Sequence, residues 1–213
     1  MFSGFRTYVM ARTDVSVATL YNAQSGLFRT TVRLGGSPAQ AAELDPLIRS
    51  FTLKGVFALT EPDHGSDIAG GLSTTARREG DEWVINGAKR WIGGAVGADV
   101  IAVFARSDED GHVKAFLVPR DAAGLSLQTI GGKISLRPMQ NSVVTLTGVR
   151  VPESARLQGV DSWRDVARIL RAMRSDVAWI ATGLQAGALD SALRYVTERE
   201  QFGRAIGGFQ LVQ

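Results

Sequence analysis

Leu59-Thr60-Glu61-Pro62-Asp63-His64-Gly65-Ser66-Asp67, followed downstream by Lys89-Arg90-Trp91-Ile92-Gly93, is the pair of stretches on which the fold turns. Each ends a β-like run in a turn. The first displays two hydroxyls, Thr60 and Ser66, and the backbone N–H groups around Gly65; the second displays the flat indole of Trp91. Amides in a glycine turn suit a phosphate, and an indole suits a planar ring. Together they can hold a polar, planar, phosphate-bearing molecule. A lone Gly-Ser-Asp is more often a plain side-chain-capped turn between strands.

Working outward, the texture changes twice. From Phe2 to Phe51 apolar residues recur at helical spacing, and Gly35-Gly36-Ser37-Pro38 interrupts them with an N-cap and a first-turn proline. From Gly55 to Pro152 the short runs Val56–Leu59, Leu72–Arg77, Trp83–Ile85, Val100–Phe104, Lys114–Val118 and Val143–Leu146 read as strands, with Glu79-Gly80-Asp81 as a hairpin loop. No helix-length pattern separates these strands and no G-x-G-x-x-G occurs, which favours an antiparallel sandwich or barrel over a Rossmann sheet. From about Asp161 to Gln201 one apolar stripe runs through Val166, Ile169, Leu170, Met173, Val177, Ile180, Leu184, Ala188, Ala192 and Tyr195, a long amphipathic helix. Gly183 and Gly187, on or near the stripe, can admit a second helix closely, and Gly203 reads as a stop. The expectation is an α+β fold in three parts: an N-terminal helical piece (residues 1–52), a middle antiparallel β-sandwich or barrel (residues 53–158), and the start of a C-terminal helical bundle (residues 159–213).

Composition narrows the chemistry. The 213 residues contain no cysteine and only two histidines, His64 and His112. That excludes disulfides and thiol catalysis, and argues against a metal site or a Ser-His triad. The net charge of +3 comes from arginines interspersed with Asp and Glu, so no nucleic-acid stripe is expected. No apolar run reaches membrane-spanning length, and Arg6, Arg12 and Asp14 break the first segment. A cytoplasmic protein is expected.

The T-E-P-x-x-G-S-D and K-R-W-I-G motifs, in this order and spacing, closely resemble the acyl-CoA dehydrogenase and acyl-CoA oxidase superfamily. The resemblance runs over essentially the whole chain but covers only the middle of the family's usual length. It implies FAD as cofactor, with Thr60 at the flavin ring edge, Ser66 at the pyrophosphate, the backbone of Phe57 and Leu59 beside the ring, and Trp91 packed against the isoalloxazine. Gly93 departs from the threonine of many dehydrogenases; glycine there leaves only a backbone N–H and opens space beside the ring. This K-R-W-I-G form looks most like the plant short-chain acyl-CoA oxidases, so the electron acceptor is either an electron-transfer flavoprotein or oxygen.

Arg199-Glu200-Gln201-Phe202-Gly203, with Phe209-Gln210 beyond, is the second signature. Arg199 follows Tyr195 by one helical turn and continues the apolar stripe, where an arginine needs an anionic partner; a solvated arginine at a helix C-terminus is the plain alternative. The resemblance implies that Arg199, Phe202 and Gln210 reach the FAD of a neighbouring subunit, hence a homo-oligomer, usually a tetramer. It also places Arg174 beside the acyl-CoA site, while Lys133 and Arg137 belong to a structural stretch. By alignment with glutaryl-CoA dehydrogenases, Ala18 and Asn22 leave no cation for a distal carboxylate, so an uncharged acyl chain is expected.

The family reaction removes an α-proton from an acyl-CoA thioester with a glutamate and passes the β-hydrogen as hydride to flavin N5. That glutamate lies beyond Gln213 in the family, and Glu61 belongs to the turn, so no catalytic residue is assigned. A split or excised member of the family is expected. An acyl-CoA oxidase, an inactive remnant binding no flavin, and a flavin-dependent hydroxylase are the alternatives.

Overall fold

A computed structural model describes the backbone from residue 2 and the side chains from residue 3. The chain forms two compact units, Leu20–Arg174 and, separately, the residues up to Thr19 together with Ser175–Gln213.

In the larger unit, a π-helical turn (Ala23–Phe28) leads into α3 (Arg29–Gly35) and α4 (Pro38–Arg49); α1 (Phe2–Thr13) and α2 (Val15–Asn22) precede them. α4 starts as its sequence predicts. Ser37 accepts from the Gln40 amide, Gln40 answers to the Ser37 amide, and Pro38 fills the first turn. The π-turn has a positioning role, since it aims Gln24 at the first strand. The Gln24 carboxamide accepts from Gly55 N (2.7 Å) and donates to the Leu53 carbonyl (2.8 Å), while the Phe28 ring fills the space a side chain at Gly55 would need.

One seven-stranded sheet forms the centre: β1 (Gly55–Ala58), β2 (Thr75–Glu79), β3 (Glu82–Gly93), β4 (Val100–Ser107), β5 (Val113–Pro119), β6 (Leu125–Thr129) and β7 (Asn141–Pro152). The α+β class is as expected, with two differences of detail. β1 and β2 lie in succession along one edge of β4, and both pairings are parallel, so the sheet is mixed. The remaining pairings are antiparallel. Val100–Ala105 is buried on both faces, which is why it reads as an unbroken apolar run. Ile101 and Val103 join Trp83, Ile85, Phe116, Val118, Val144 and Val149 in one core, while Phe104 joins Leu59, Leu157, Val166 and Ile169 in another. The second difference is β6, a half-exposed edge strand with no strong apolar signal.

The helix α6 (Trp163–Glu198) is 36 residues long. Its first turns bury Val166, Ile169 and Met173 in the larger unit. In the smaller unit its later turns meet α1 at very close range. A side chain at Gly183 would strike the Tyr8 carbonyl, and one at Gly187 the Arg12 carbonyl. Arg12 pairs there with Asp190. The expected close helix approach at these glycines is what the chain forms. The rest of the stripe is open, with Val177, Leu184 and Tyr195 exposed beside Leu189 and Leu193. No helix among the described residues is long and apolar enough to cross a membrane.

Candidate functional site

The first loop begins where β1 stops pairing. Leu59 stays in the core, Thr60 is half-buried, and Glu61 turns inward. Glu61 N–H donates to the His64 carbonyl (3.0 Å), closing the turn that carries Pro62, Asp63 and His64. Beyond it Gly65 and Ser66 are exposed, and nothing lies within 4 Å of where a Gly65 side chain would point. His64 sits over Gly71, with Nδ1 2.8 Å from Asp67 Oδ2; the hydrogen bond and charge of Asp67 raise its pKa above the usual histidine value.

β3 approaches the same loop from the other side. Its register against β7 slips between Lys89 and Ile92, a β-bulge. Trp91 sits in that bulge with φ 64, and its indole is 50 % exposed while the flanking Ile92 is buried. A bulky residue in the left-handed region is held against its preference. The hold is visible: Asn141 Nδ2 donates to the Trp91 carbonyl (2.9 Å), and Asn141 Oδ1 accepts from Lys133 Nζ. Lys133 also donates to the Leu136 and Met139 carbonyls, tying the 133–141 loop into a support for the bulge. The Arg90 guanidinium lies 5.2 Å from the centre of the Trp91 ring.

The two loops are bonded to each other. Arg90 N–H donates to the Thr60 carbonyl (2.9 Å). Lys89 Nζ donates to the Leu59 carbonyl (3.2 Å) and to Glu61 Oε1 (2.9 Å), with both side chains essentially sealed from solvent, at 0 % and 1 % exposure. The Ser73 amide and hydroxyl and the Thr74 amide supply the remaining donors to Glu61. Burial opposes ionisation of Glu61, yet the Lys89 charge and these hydrogen bonds hold its carboxyl at about 2. Burial lowers Lys89 to about 8 against the opposing pull of Glu61. Thr60 and Trp91, far apart in sequence, therefore sit on one stitched rim.

A side chain at Gly93 would meet the methyl at the flexible end of Met139 and come within 3.4 Å of Asn141 Nδ2. Phe57 is half-buried and packs on Phe104, with ring centres 4.9 Å apart. The carbonyl and side chain of Leu59 are both engaged inside the protein.

In the smaller unit, α6 ends at Glu198 and a two-residue hairpin follows, β8 (Glu200–Gln201) and β9 (Arg204–Ala205). Its loop is Phe202-Gly203, with φ of 54 and 78, the double left-handed turn that suits hairpins and asks for glycine or asparagine. Phenylalanine at the first position is an outlier, and its ring is 94 % exposed. Arg204 lies 4.0 Å from the Phe209 ring centre, and Phe209 meets Phe202 edge-on. Arg199 lies just past the end of α6 and is exposed on its own unit, with its amide on the Tyr195 carbonyl and its carbonyl on the Ile206 amide. Gln210 and, in the larger unit, Arg174 are also exposed.

Lys89, Asn141 and the supporting role of Lys133 escaped the sequence reading. Lys89 had a signal: it sits at an inward position of a strand otherwise lined by Trp83, Ile85 and Ile92, and a lysine there implies a buried acid.

Residues 56–149 match the family model described as acyl-CoA dehydrogenase, middle domain, and residues 162–213 the one described as acyl-CoA dehydrogenase, C-terminal domain. The chain is 36% identical over 222 residues to the probable acyl-CoA dehydrogenase YngJ of Bacillus subtilis, covering 97% of this chain and 57% of that protein. It is 35% identical to the glutaryl-CoA dehydrogenase of Desulfococcus multivorans, over 86% of this chain and 48% of the other. Among solved structures, a glutaryl-CoA dehydrogenase from Mycobacterium smegmatis superposes with a TM-score of 0.91 at 40% identity, over 99% of this chain and 54% of that one. A glutaryl-CoA dehydrogenase from the same organism, in complex with FADH2, gives 0.91 at 32% identity, over the same shares. The chain thus spans about half the length of the curated relatives it matches.

Proposed function

The chain belongs to the acyl-CoA dehydrogenase superfamily, and from that premise we propose that it takes part in FAD-dependent α,β-dehydrogenation of an acyl-CoA thioester. The observation that carries the reading is the stitched rim, with Thr60 and the outward-turned Trp91 joined through the Arg90 amide and the Thr60 carbonyl.

The residues present fit a flavin dinucleotide. A half-exposed indole, held out by a bulge at local conformational cost, offers a flat apolar face with no partner of its own beyond Arg90. The exposed Gly65-Ser66 turn offers the Ser66 hydroxyl, with nothing within 4 Å of where a Gly65 side chain would point. FAD, when bound, supplies an acceptor for two electrons and a hydride. Thr60 would hold its ring edge, with Phe57, Leu59 and Gly93 alongside, Ser66 its pyrophosphate, and Trp91 would cover the ring and keep water from it. Arg199, Phe202 and Gln210, exposed on their own unit, would serve the FAD of a second copy, so a homo-oligomer, a tetramer by family resemblance, is part of the proposal. Arg174 would line the acyl-CoA site.

Glu61 is unsuited to act as the base. Its acceptors are taken by Ser73, Thr74 and Lys89, it is buried, and a carboxyl near 2 binds a proton poorly at neutral pH. The catalytic residue stays unassigned. The proposed substrate carries an uncharged acyl chain, since Ala18 and Asn22 offer no cation to a second carboxylate. The three-part division at residues 52 and 158, a cytoplasmic setting and an electron-transfer flavoprotein as acceptor complete the reading. Oxygen as acceptor is the second reading, favoured by glycine rather than threonine at Gly93.

The test is an absorbance scan of purified protein with and without added FAD. A yellow protein whose flavin band bleaches anaerobically with a saturated acyl-CoA supports the reading. A colourless protein that takes up no FAD overturns it in favour of a non-catalytic remnant. Rapid reoxidation of the reduced flavin by air would favour oxygen as acceptor.

A further inference from the structure

Glu61 and Lys89 are buried, ionised and unused by the proposed chemistry. Apolar side chains of similar volume would join these segments without the cost of desolvating two charges. Apolar contact has no direction, however, whereas this pair has several fixed ones. Lys89 reaches Glu61 and the Leu59 carbonyl, the residues on either side of Thr60. Glu61 also collects the Ser73 and Thr74 amides at the approach to β2. Lys89 stands two residues before Trp91, and the bond from Arg90 N–H to the Thr60 carbonyl closes the ring of contacts. Each of the two side chains offered to the ligand is therefore within two positions of the pair.

We propose that Glu61 and Lys89 are positioning residues: touching no ligand themselves, they set the gap between Thr60 and the Trp91 bulge before FAD arrives. This rests on the flavin reading above. The depressed carboxyl of Glu61 accords with it, because Glu61 stays ionised and its acceptor directions stay fixed across the neutral range.

The test compares wild type with Lys89→Met, the charge-free double variant Glu61→Gln/Lys89→Met, and Ser73→Ala, all in the full chain. Two quantities are read: hydrogen exchange at the Arg90 amide without ligand, and FAD affinity with the visible circular dichroism of the bound flavin. The double variant leaves no unpaired buried charge. It should fold, exchange Arg90 faster, and bind FAD about tenfold or more weakly with an altered flavin spectrum. Ser73→Ala should fall between it and wild type, and decides the question if the double variant unfolds. Wild-type exchange at Arg90 overturns the proposal, as does faster exchange with unchanged FAD affinity and spectrum. If wild type itself takes up no FAD, the flavin reading falls, and the Arg90 exchange alone supports or overturns the hold of the pair on the gap.

Discussion

The stitched rim and the Arg199–Gln210 segment carry the two signatures of one family and are built on opposite plans. At the rim the groups that fix the bulge have partners inside the chain: Glu61 has Lys89 and two amides, and the Trp91 carbonyl has Asn141. The buried Arg90 Nε, Thr74 Oγ1 and Ser142 Oγ have no hydrogen-bond partner among the described residues. At the hairpin Arg199, Phe202 and Gln210 are all exposed, and the contacts around them include the Phe202–Phe209–Arg204 stack, two side-chain bonds from Gln201 and Gln213, and a few backbone bonds. The rim holds its own shape. The hairpin holds three exposed side chains that its own unit does not cover. Damage to the first should appear in stability as well as in binding, and damage to the second in binding alone.

Four outcomes test that contrast, in descending size. Lys89→Met should cost about 3–5 kcal/mol in chemical denaturation, because it strands a buried carboxylate; recovery of most of that in Glu61→Gln/Lys89→Met would assign the loss to the unpaired charge. Arg199→Ala should leave denaturation unchanged within about 0.5 kcal/mol. In the FAD-binding assembly it should weaken FAD by about 1.5–3 kcal/mol, read by fluorescence titration. Acid should then separate the two regions. Glu61 titrates near 2 when folded and near 4.5 otherwise, so its contribution is complete above pH 4.5 and fades as pH falls toward 2. Over that window wild type should lose stability more steeply than the charge-free double variant, and Arg199→Ala should follow wild type. The smallest change is Phe202→Asn, which tolerates the left-handed turn: a gain of up to about 1 kcal/mol for the hairpin, with weaker FAD binding.

The sequence was most informative where burial is two-sided or periodic. Val100–Phe104 and the α6 stripe announce themselves because an unbroken apolar run and a helical period have few other solutions. β3 was legible only over Trp83–Ile85; its continuation through Asn86-Gly87 and the Lys89–Ile92 bulge breaks alternation, so that the residues that make the site hide the strand that carries them. β6 offers one half-buried face at an edge and little pattern. The parallel pairing of β1 with β4 is a long-range choice that no local stretch encodes. The candidate site loops were legible through their turn residues and motifs, whereas Asn141 and Lys133 act through carbonyls, and a carbonyl acceptor leaves no trace in residue type.

Met139 gives the rim one last property. Its methyl stands where a side chain on residue 93 would begin, and that methyl is the far end of a flexible side chain. A turn of Met139 would therefore admit a hydroxyl-bearing residue at 93, so the pocket wall at this point can be refilled while the backbone that holds Trp91 stays where it is.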